Sequence, residues 1–175
     1  GRIDRDKITK ALQDQLDSFE AMLARQPDFV DGHQHIHIFP FIRECFLRVL
    51  AQRYTKKLPY IRSSRPDISG ESFVKKIILR ILGARFSQQA SISGFSLPSQ
   101  FLGVYSLRPG NFPTYFKHWL MQASDRSLIM CHPGHASHDA SDPVRQARVC
   151  EFNYFCSDVF LKDLQKKGIS LEKWS

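Results

Sequence analysis

Three histidines follow an aspartate at every second position of the stretch VDGHQHIHIFP, residues 30–40; the four are Asp31, His33, His35 and His37. If this stretch is a β-strand, all four side chains share one face. Strands of parallel sheets are usually apolar on both faces, and an unsatisfied buried polar group costs about 1–3 kcal/mol. A metal ion or a solvated cleft removes that cost, because imidazole binds divalent metals and a carboxylate can orient the ligating ring. The stretch therefore predicts a functional site, with hydrogen-bonded core histidines as the alternative.

Two further polar residues follow apolar stretches. His132 lies in MCHPG, residues 130–134, whose Met130 ends the apolar run SLIM, and Arg62 lies in PYIRSS. In α/β folds the chemistry is carried at the carboxyl ends of parallel strands, and imidazole transfers protons near neutral pH. His132 is therefore a candidate general acid or base, although His-Pro-Gly is also an ordinary turn sequence. Arg62 is a candidate ligand for a polar substrate, with a surface arginine as the alternative.

The elements that must position these residues alternate between helix and strand. Apolar residues at spacings of three and four predict a helix over residues 4–25, which Pro27 ends. The other predicted elements are a strand over FVDGHQHIHIF, a helix around 42–50, a strand at LPYIRSSRP, a helix over 73–82 entered through SGES, loops with a short strand over 91–111, a helix over FPTYFKHWLMQA, a strand over SLIMCHPG and a helix over about 143–165. This order predicts an α/β fold with parallel strands, in a single domain over residues 1–175.

Composition narrows the class of protein. The 175 residues are 42% hydrophobic, with no apolar run of membrane-spanning length and no signal-peptide pattern. The net charge of +8 is spread over several segments and is not interleaved with aromatic residues, so we expect no nucleic-acid partner. Four cysteines without C-x-x-C spacing indicate a reducing compartment, and hence the cytoplasm.

The alternation H-x-H-x-H followed by two apolar residues and Pro40 resembles the histidine-triad nucleotide hydrolases and transferases. In that family an imidazole attacks a phosphate and forms a covalent intermediate, a role that would fall to His33, His35 or His37. The match covers about eight residues, and Gln34 stands where that family has an apolar residue.

A second resemblance extends along most of the chain. PDFVDGHQHIHIFP resembles the signature of the YdjC-like carbohydrate deacetylases, which include chitooligosaccharide deacetylases and hopanoid-associated relatives. The preceding helix, PYIRSSRP, MCHPG and RQARVCEF come in that family's order. The resemblance implies a (β/α) barrel of the polysaccharide-deacetylase type, of which this chain would be an incomplete, C-terminal portion. It also implies removal of an N-acetyl group from an amino sugar in an oligosaccharide or glycolipid.

The resemblance implies a role for each matching residue. His33 would ligate a divalent metal, Mg or Zn, that activates the attacking water, and Asp31 would be a nearby supporting carboxylate counted with the catalytic residues. His132 would act as proton donor or oxyanion partner. Arg148 and Glu151 would support the site, although at i,i+3 they are also placed for a helix ion pair.

The substrate would lie against further residues of the chain. We expect Arg62, His35 and His37 to bind it. Phe95, Phe101 and Tyr105 would shape the sugar subsites within the loops 91–111, with burial in the core as the alternative.

One departure from the family concerns its amino-terminal motifs. Members begin with an Asp-Asp-Phe-Gly strand and a Gly-x-His segment that supply metal ligands and the catalytic base, and this sequence has no adjacent Asp pair. We therefore expect the amino-terminal strands to be missing, so that the 175-residue chain alone binds metal weakly and deacetylates poorly or not at all. An incomplete barrel would also expose apolar edges, through which the chain could form a homo-oligomer. A non-catalytic basic binding module is the third alternative, and it predicts nucleic-acid affinity that falls steeply with salt.

Overall fold

The computed structural model describes residues 4–64, 73–107, 110–137, 139 and 141–173. Its elements are, in chain order, α1 (Arg5–Leu23), β1 (Phe29–Val30), a 3-10 segment (His33–Ile38), α2 (Pro40–Arg53), β2 (Tyr60–Ile61), α3 (Phe73–Ile92), β3 (Gln100–Leu102), α4 (Phe112–Gln122), β4 (Ser127–Ile129), α5 (Arg145–Phe155) and α6 (Asp158–Lys167). The described residues divide into two compact units. The amino-terminal unit holds the described residues up to 64 and Val74–Pro98, and the carboxyl-terminal unit holds Ser99–Lys173.

In the amino-terminal unit, α1 packs against α2, and β1 pairs with β2 in parallel. The side chain of Asp4 caps α1 by accepting hydrogen bonds from the first-turn backbone N–H groups of Asp6 and Lys7. Between the two helices, the Arg53 guanidinium binds the carboxylates of Asp17 and Glu20 at 2.6 Å. The core of this unit is aliphatic and aromatic, with Ile38, Phe46, Leu50, Ile61 and Phe86 among its most buried members.

In the carboxyl-terminal unit, β3 pairs with β4 in parallel, and the backbone N–H of Met130 continues the pairing to Leu102. Gly103 follows at φ +93°, and a Cβ there would lie 2.2 Å from the Met130 carbonyl oxygen, so only glycine fits. Helices α4, α5 and α6 pack on one another through aromatic rings. This packing fixes the segments that follow β3 and β4.

The structure confirms the alternation of helices with parallel strands and the positions of α1, α2 and α4. The predicted strand over FVDGHQHIHIF is wrong beyond Val30, because residues 33–38 form 3-10 turns. The predicted helix over 143–165 is two helices, since the backbone of Ser157 is extended at ψ 153°. Helix α3 continues to Ile92, about ten residues past its predicted end.

The described strands form two separate two-stranded sheets, and no closed barrel is formed among the residues described. The barrel and the single domain stay predictions. Residues 65 and 66 of PYIRSSRP and the predicted helix entry SGES lie outside the described ranges. No helix in the described part of the chain is long and apolar enough to cross a membrane.

Candidate functional site

The histidine-rich stretch is a tight turn. The backbone N–H of His35 bonds the Gly32 carbonyl at 3.1 Å, and Gln34 and His35 have positive φ values of 49° and 64°. The prediction that Asp31 and the three histidines share one strand face is therefore wrong. His35 and His37 are buried, whereas His33 is exposed. The three rings therefore differ in their surroundings.

His37 is a structural residue of this turn. Its Nδ1 accepts a hydrogen bond from the Gly32 backbone N–H at 3.2 Å, and its Nε2 lies 3.0 Å from the Arg62 carbonyl oxygen. Because a backbone N–H can only donate and a carbonyl can only accept, the ring carries its single proton on Nε2. Burial against Phe46 and Phe86 lowers the pKa of His37 to about 4, so the ring is neutral. Neither ring nitrogen is left for a metal ion.

Arg62 holds Asp31 in place. Its Nε and Nη2 both lie 2.7 Å from Oδ1 of Asp31, and Nη2 also donates to the Gly32 carbonyl at 3.2 Å. Arg62 is only 3% exposed, and burial lowers its pKa, which the Asp31 charge partly offsets. Arg62 is thus buried and paired, and its predicted contact with substrate stays a prediction.

His35 is also buried, with its Nδ1 3.0 Å from the hydroxyl of Ser64. Ser64 is fully buried. The turn is therefore joined to the segment after β2 at two points, through His35 to Ser64 and through His37 to Arg62. The predicted substrate-binding role of His35 and His37 stays a prediction.

His33 differs from its two neighbours. Its side chain is exposed and makes no hydrogen bond to any residue that the structure describes. An exposed imidazole with no hydrogen-bond partner among the described residues, two residues along the chain from the Asp31 carboxylate, is chemically suited to hold one coordination position of a divalent ion. Within the described ranges, no three His, Cys, Asp or Glu side chains are grouped closely enough to form a metal site. His33 therefore fits as one ligand of such a site, and the described chain does not complete the shell.

His132 lies just beyond β4, in the carboxyl-terminal unit, where it contacts Glu151 of α5. The Glu151 carboxylate is fully buried; one oxygen accepts the backbone N–H of His132, and the other accepts the Tyr105 hydroxyl at 2.5 Å. Nδ1 of His132 is 3.7 Å from that second oxygen, beyond hydrogen-bond distance, and has no partner within the described chain. The predicted supporting residue Glu151 is thus in place beside the predicted proton donor.

Arg148 pairs with Asp142 through its side chain, and not with Glu151 as in the helix ion pair that the i,i+3 spacing allows. Its Nε bonds Asp142 at 2.8 Å, and its backbone carbonyl accepts the N–H of Gly134 at 3.1 Å. Arg148 therefore fastens the turn that follows His132 to α5, while Glu151 binds the His132 backbone itself.

The three aromatic residues considered for the sugar subsites are in the cores. Phe95 and Tyr105 are 5% exposed and Phe101 is 1% exposed. The core alternative is the one observed. The Tyr105 hydroxyl instead donates a hydrogen bond to Glu151. The two residues are 46 positions apart, so no local sequence pattern indicates this contact.

Comparison with known proteins identifies the family of this chain. A family model described as YdjC-like protein matches residues 1–166. Curated relatives include a human carbohydrate deacetylase, 36% identical over 50 residues, which are 29% of this chain and 16% of that protein. A chitooligosaccharide deacetylase of Yersinia pestis (strain Pestoides F) is 26% identical over 133 residues, 76% of this chain and 46% of that protein. The chain thus spans less than half the length of these curated relatives. No solved structure matches it significantly.

Proposed function

Because the chain belongs to the YdjC-like protein family, we propose that it acts as a carbohydrate deacetylase. The proposed reaction is hydrolysis of the amide bond of an N-acetylated amino sugar, within an oligosaccharide or glycolipid, to give acetate and a free amine. The names of the human and Yersinia relatives support the reaction and the class of substrate. Four free thiols support the cytoplasm as the proposed location.

The observation that carries the proposal is the contrast between His33 and the other two histidines of the turn. His35 and His37 are buried and hydrogen-bonded, and they join the turn to the segment after β2. His33 projects from this braced turn without a partner among the described residues. A turn held by two buried histidines fixes the backbone beneath His33, and its exposed imidazole keeps both ring nitrogens available to a metal ion.

We propose that His33 holds a divalent ion, Mg or Zn. The remaining ligands of that ion would come from groups other than the described residues of this turn. When bound, such an ion polarises the amide carbonyl and lowers the pKa of a coordinated water. Asp31 contributes a negative charge whose position Arg62 fixes through two contacts of 2.7 Å. The described residues thus bind and orient, while the ion supplies electrophilic assistance.

We propose that His132 transfers the proton that the departing amine needs. An amide nitrogen leaves only after protonation, and a positioned imidazole is suited to this step near neutral pH. The side chain is 25% exposed, which gives it access to a substrate, while its backbone is fixed by Glu151. The same ring in its protonated form can stabilise the negative charge that develops on the amide oxygen in the tetrahedral intermediate.

The test is acetate release from N-acetylglucosamine oligomers by the complete gene product, with and without EDTA. We expect His33→Ala to remove tight metal binding, and His132→Ala to lower kcat by about 10²–10⁴-fold while metal binding persists. His118→Ala is the matched control, because His118 is an exposed histidine on α4 and should leave both properties unchanged.

Two results would contradict the proposal. One is the absence of acetate release from every N-acetylated amino-sugar oligomer tried. The other is EDTA-resistant hydrolysis of a nucleoside phosphoramidate with a trapped nucleotidyl-histidine, which is the result expected of the histidine-triad alternative.

A further inference from the structure

We infer that Tyr105 is a positioning residue that orients the imidazole of His132 through the carboxylate of Glu151. The inference rests on the proposed function for the catalytic use of His132. The orientation itself follows from contacts within the carboxyl-terminal unit. Tyr105 follows β3, His132 follows β4, and Glu151 lies on α5, so three segments meet at one carboxylate.

Glu151 is held by a hydrogen bond to each oxygen of its carboxylate. Its side chain is 0% exposed, so the carboxylate receives no hydrogen bonds from bulk water. The backbone N–H of His132 donates to one oxygen and the Tyr105 hydroxyl donates to the other. Because each oxygen of the carboxylate accepts one of the two donors, rotation of the carboxylate would break these hydrogen bonds. Removing either donor would allow the carboxylate to rotate.

The imidazole of His132 faces the Glu151 carboxylate through its Nδ1. Nδ1 of His132 is a buried nitrogen that makes no hydrogen bond with the residues described, and the oxygen that accepts from Tyr105 lies 3.7 Å away. Contacts of this kind often shorten when a substrate binds. A proton on Nδ1 faces this carboxylate, whereas an unprotonated Nδ1 would place two electron-rich atoms together. Glu151 therefore favours the tautomer with hydrogen on Nδ1, which leaves Nε2 to take up a proton and then pass it to the departing amine.

Tyr105 is fixed by the aromatic core of the carboxyl-terminal unit. Its ring is held by its neighbours, with centroids 5.6 Å from Trp119 and 5.9 Å from Phe112. Burial, followed by the hydrogen bond to Glu151, raises the pKa of Tyr105 well above its usual range, so the hydroxyl keeps its proton and remains a donor. Burial also raises the pKa of Cys131, and this neighbour therefore stays a neutral thiol. The position of the Glu151 carboxylate thus depends on the packing of the aromatic core.

The experiment compares Tyr105→Phe and Glu151→Gln with the unmodified protein. Tyr154→Phe is the matched control, because Tyr154 belongs to the same aromatic cluster and donates to a different buried carboxylate, Asp163, at 2.9 Å. The readout is the imidazole tautomer of His132, from ¹⁵N NMR of ring-labelled protein without substrate. A merely structural role for Tyr105 would change stability and leave this tautomer unmoved.

We expect the unmodified protein and Tyr154→Phe to show hydrogen on Nδ1 of His132. Glu151→Gln should move the population toward hydrogen on Nε2, and Tyr105→Phe should move it in the same direction by less. With N-acetylglucosamine oligomers as substrate, Tyr105→Phe should lower kcat by about 10-fold and leave KM unchanged, as supporting residues of active sites commonly do.

The inference is overturned if His132 in the unmodified protein carries hydrogen mainly on Nε2, a measurement that needs no variant to fold. It is also overturned if folded Tyr105→Phe and Glu151→Gln leave the tautomer unchanged. Absence of acetate release from the complete gene product would contradict the proposed function alone, because the tautomer is measured without substrate.

Discussion

Replacing His37 by Gln tests whether this histidine supports the fold. The imidazole is 1% exposed and connects the Gly32 N–H to the Arg62 carbonyl through its two nitrogens. A glutamine amide has one donor and one acceptor group but lacks the rigid spacing of the ring, so it leaves at least one backbone group unpaired. His33→Gln is the matched control, because it makes the same change four residues earlier at an exposed side chain.

The expected cost follows from these contacts. A buried unpaired backbone group costs about 1–3 kcal/mol, and the lost ring contacts with Phe46 and Phe86 add about 1 kcal/mol. We therefore expect the free energy of unfolding at neutral pH to fall by about 2–4 kcal/mol in His37→Gln. In His33→Gln we expect a change within about 0.5 kcal/mol, which is usual for an exposed site.

The pH dependence supplies a sharper test. The pKa of His37 is about 4 in the folded chain, against 6.5 for the exposed side chain, because burial disfavours the charged ring. Between these values only the unfolded chain takes up the proton, so the free energy of unfolding of the unmodified protein falls as the pH drops from 6.5 to 4. The full difference is about 3 kcal/mol, at about 1.4 kcal/mol per pKa unit. His37→Gln lacks this dependence, so the stability gap between the two proteins should narrow over that range.

The assay is urea denaturation followed by circular dichroism at several pH values, together with an NMR titration of the His37 ring. A ring that titrates near 6.5 would refute the assignment, as would a gap between the two proteins that stays constant with pH. Equal destabilisation by His37→Gln and His33→Gln would also refute it, since the structure assigns a buried contact to only one of these rings.

Two further substitutions test other close contacts by urea denaturation. Arg62→Lys should lower the free energy of unfolding by about 1–3 kcal/mol, because an ammonium cannot reproduce the two contacts to Asp31, and unchanged stability would contradict that pairing. Gly103→Ala should cost about 3 kcal/mol or more, since the new Cβ would lie 2.2 Å from the Met130 carbonyl oxygen at φ +93°. Gly168→Ala is the comparison, with φ +62° but no atom within 4 Å, and should cost about 1 kcal/mol; equal costs would count against the crowding at Gly103.

The helices show what sequence spacing can predict. The predictions for α1, α2 and α4 were correct because apolar residues three and four apart favour one buried helix face whatever lies against it. The division between α5 and α6 was missed, although Ser157 followed by Asp158 is a common helix-start pair. The apolar spacing continues through the break, so it predicts one helix, whereas the signal for a new helix is confined to this pair of residues.

The histidine turn shows where the same approach fails. Alternation of polar and apolar residues is the pattern of a strand, yet glutamine and histidine have little strand preference, and Gly32 allows a close approach to His37. A Cβ at Gly32 would lie 2.6 Å from Nδ1 of His37, so the hydrogen bond between them requires glycine. The turn thus depends on long-range partners, Ser64 and the Arg62 carbonyl, that no spacing within eleven residues can reveal.

The same distinction holds for the candidate functional residues of each unit. His33 and His132 were identified from residue type and position along the chain, because metal ligation and proton transfer need imidazole. The groups that orient them were found only where the chain returns on itself, as with Tyr105, which meets Glu151 across 46 positions. A catalytic residue can therefore be proposed from a motif, whereas the contact that sets its tautomer or holds its neighbouring carboxylate depends on tertiary packing. Tyr105→Phe and Arg62→Lys leave every histidine in place and remove only the contacts that orient neighbouring groups. For this reason these two substitutions discriminate best between a site whose groups are correctly oriented and a chain that only retains the motif residues.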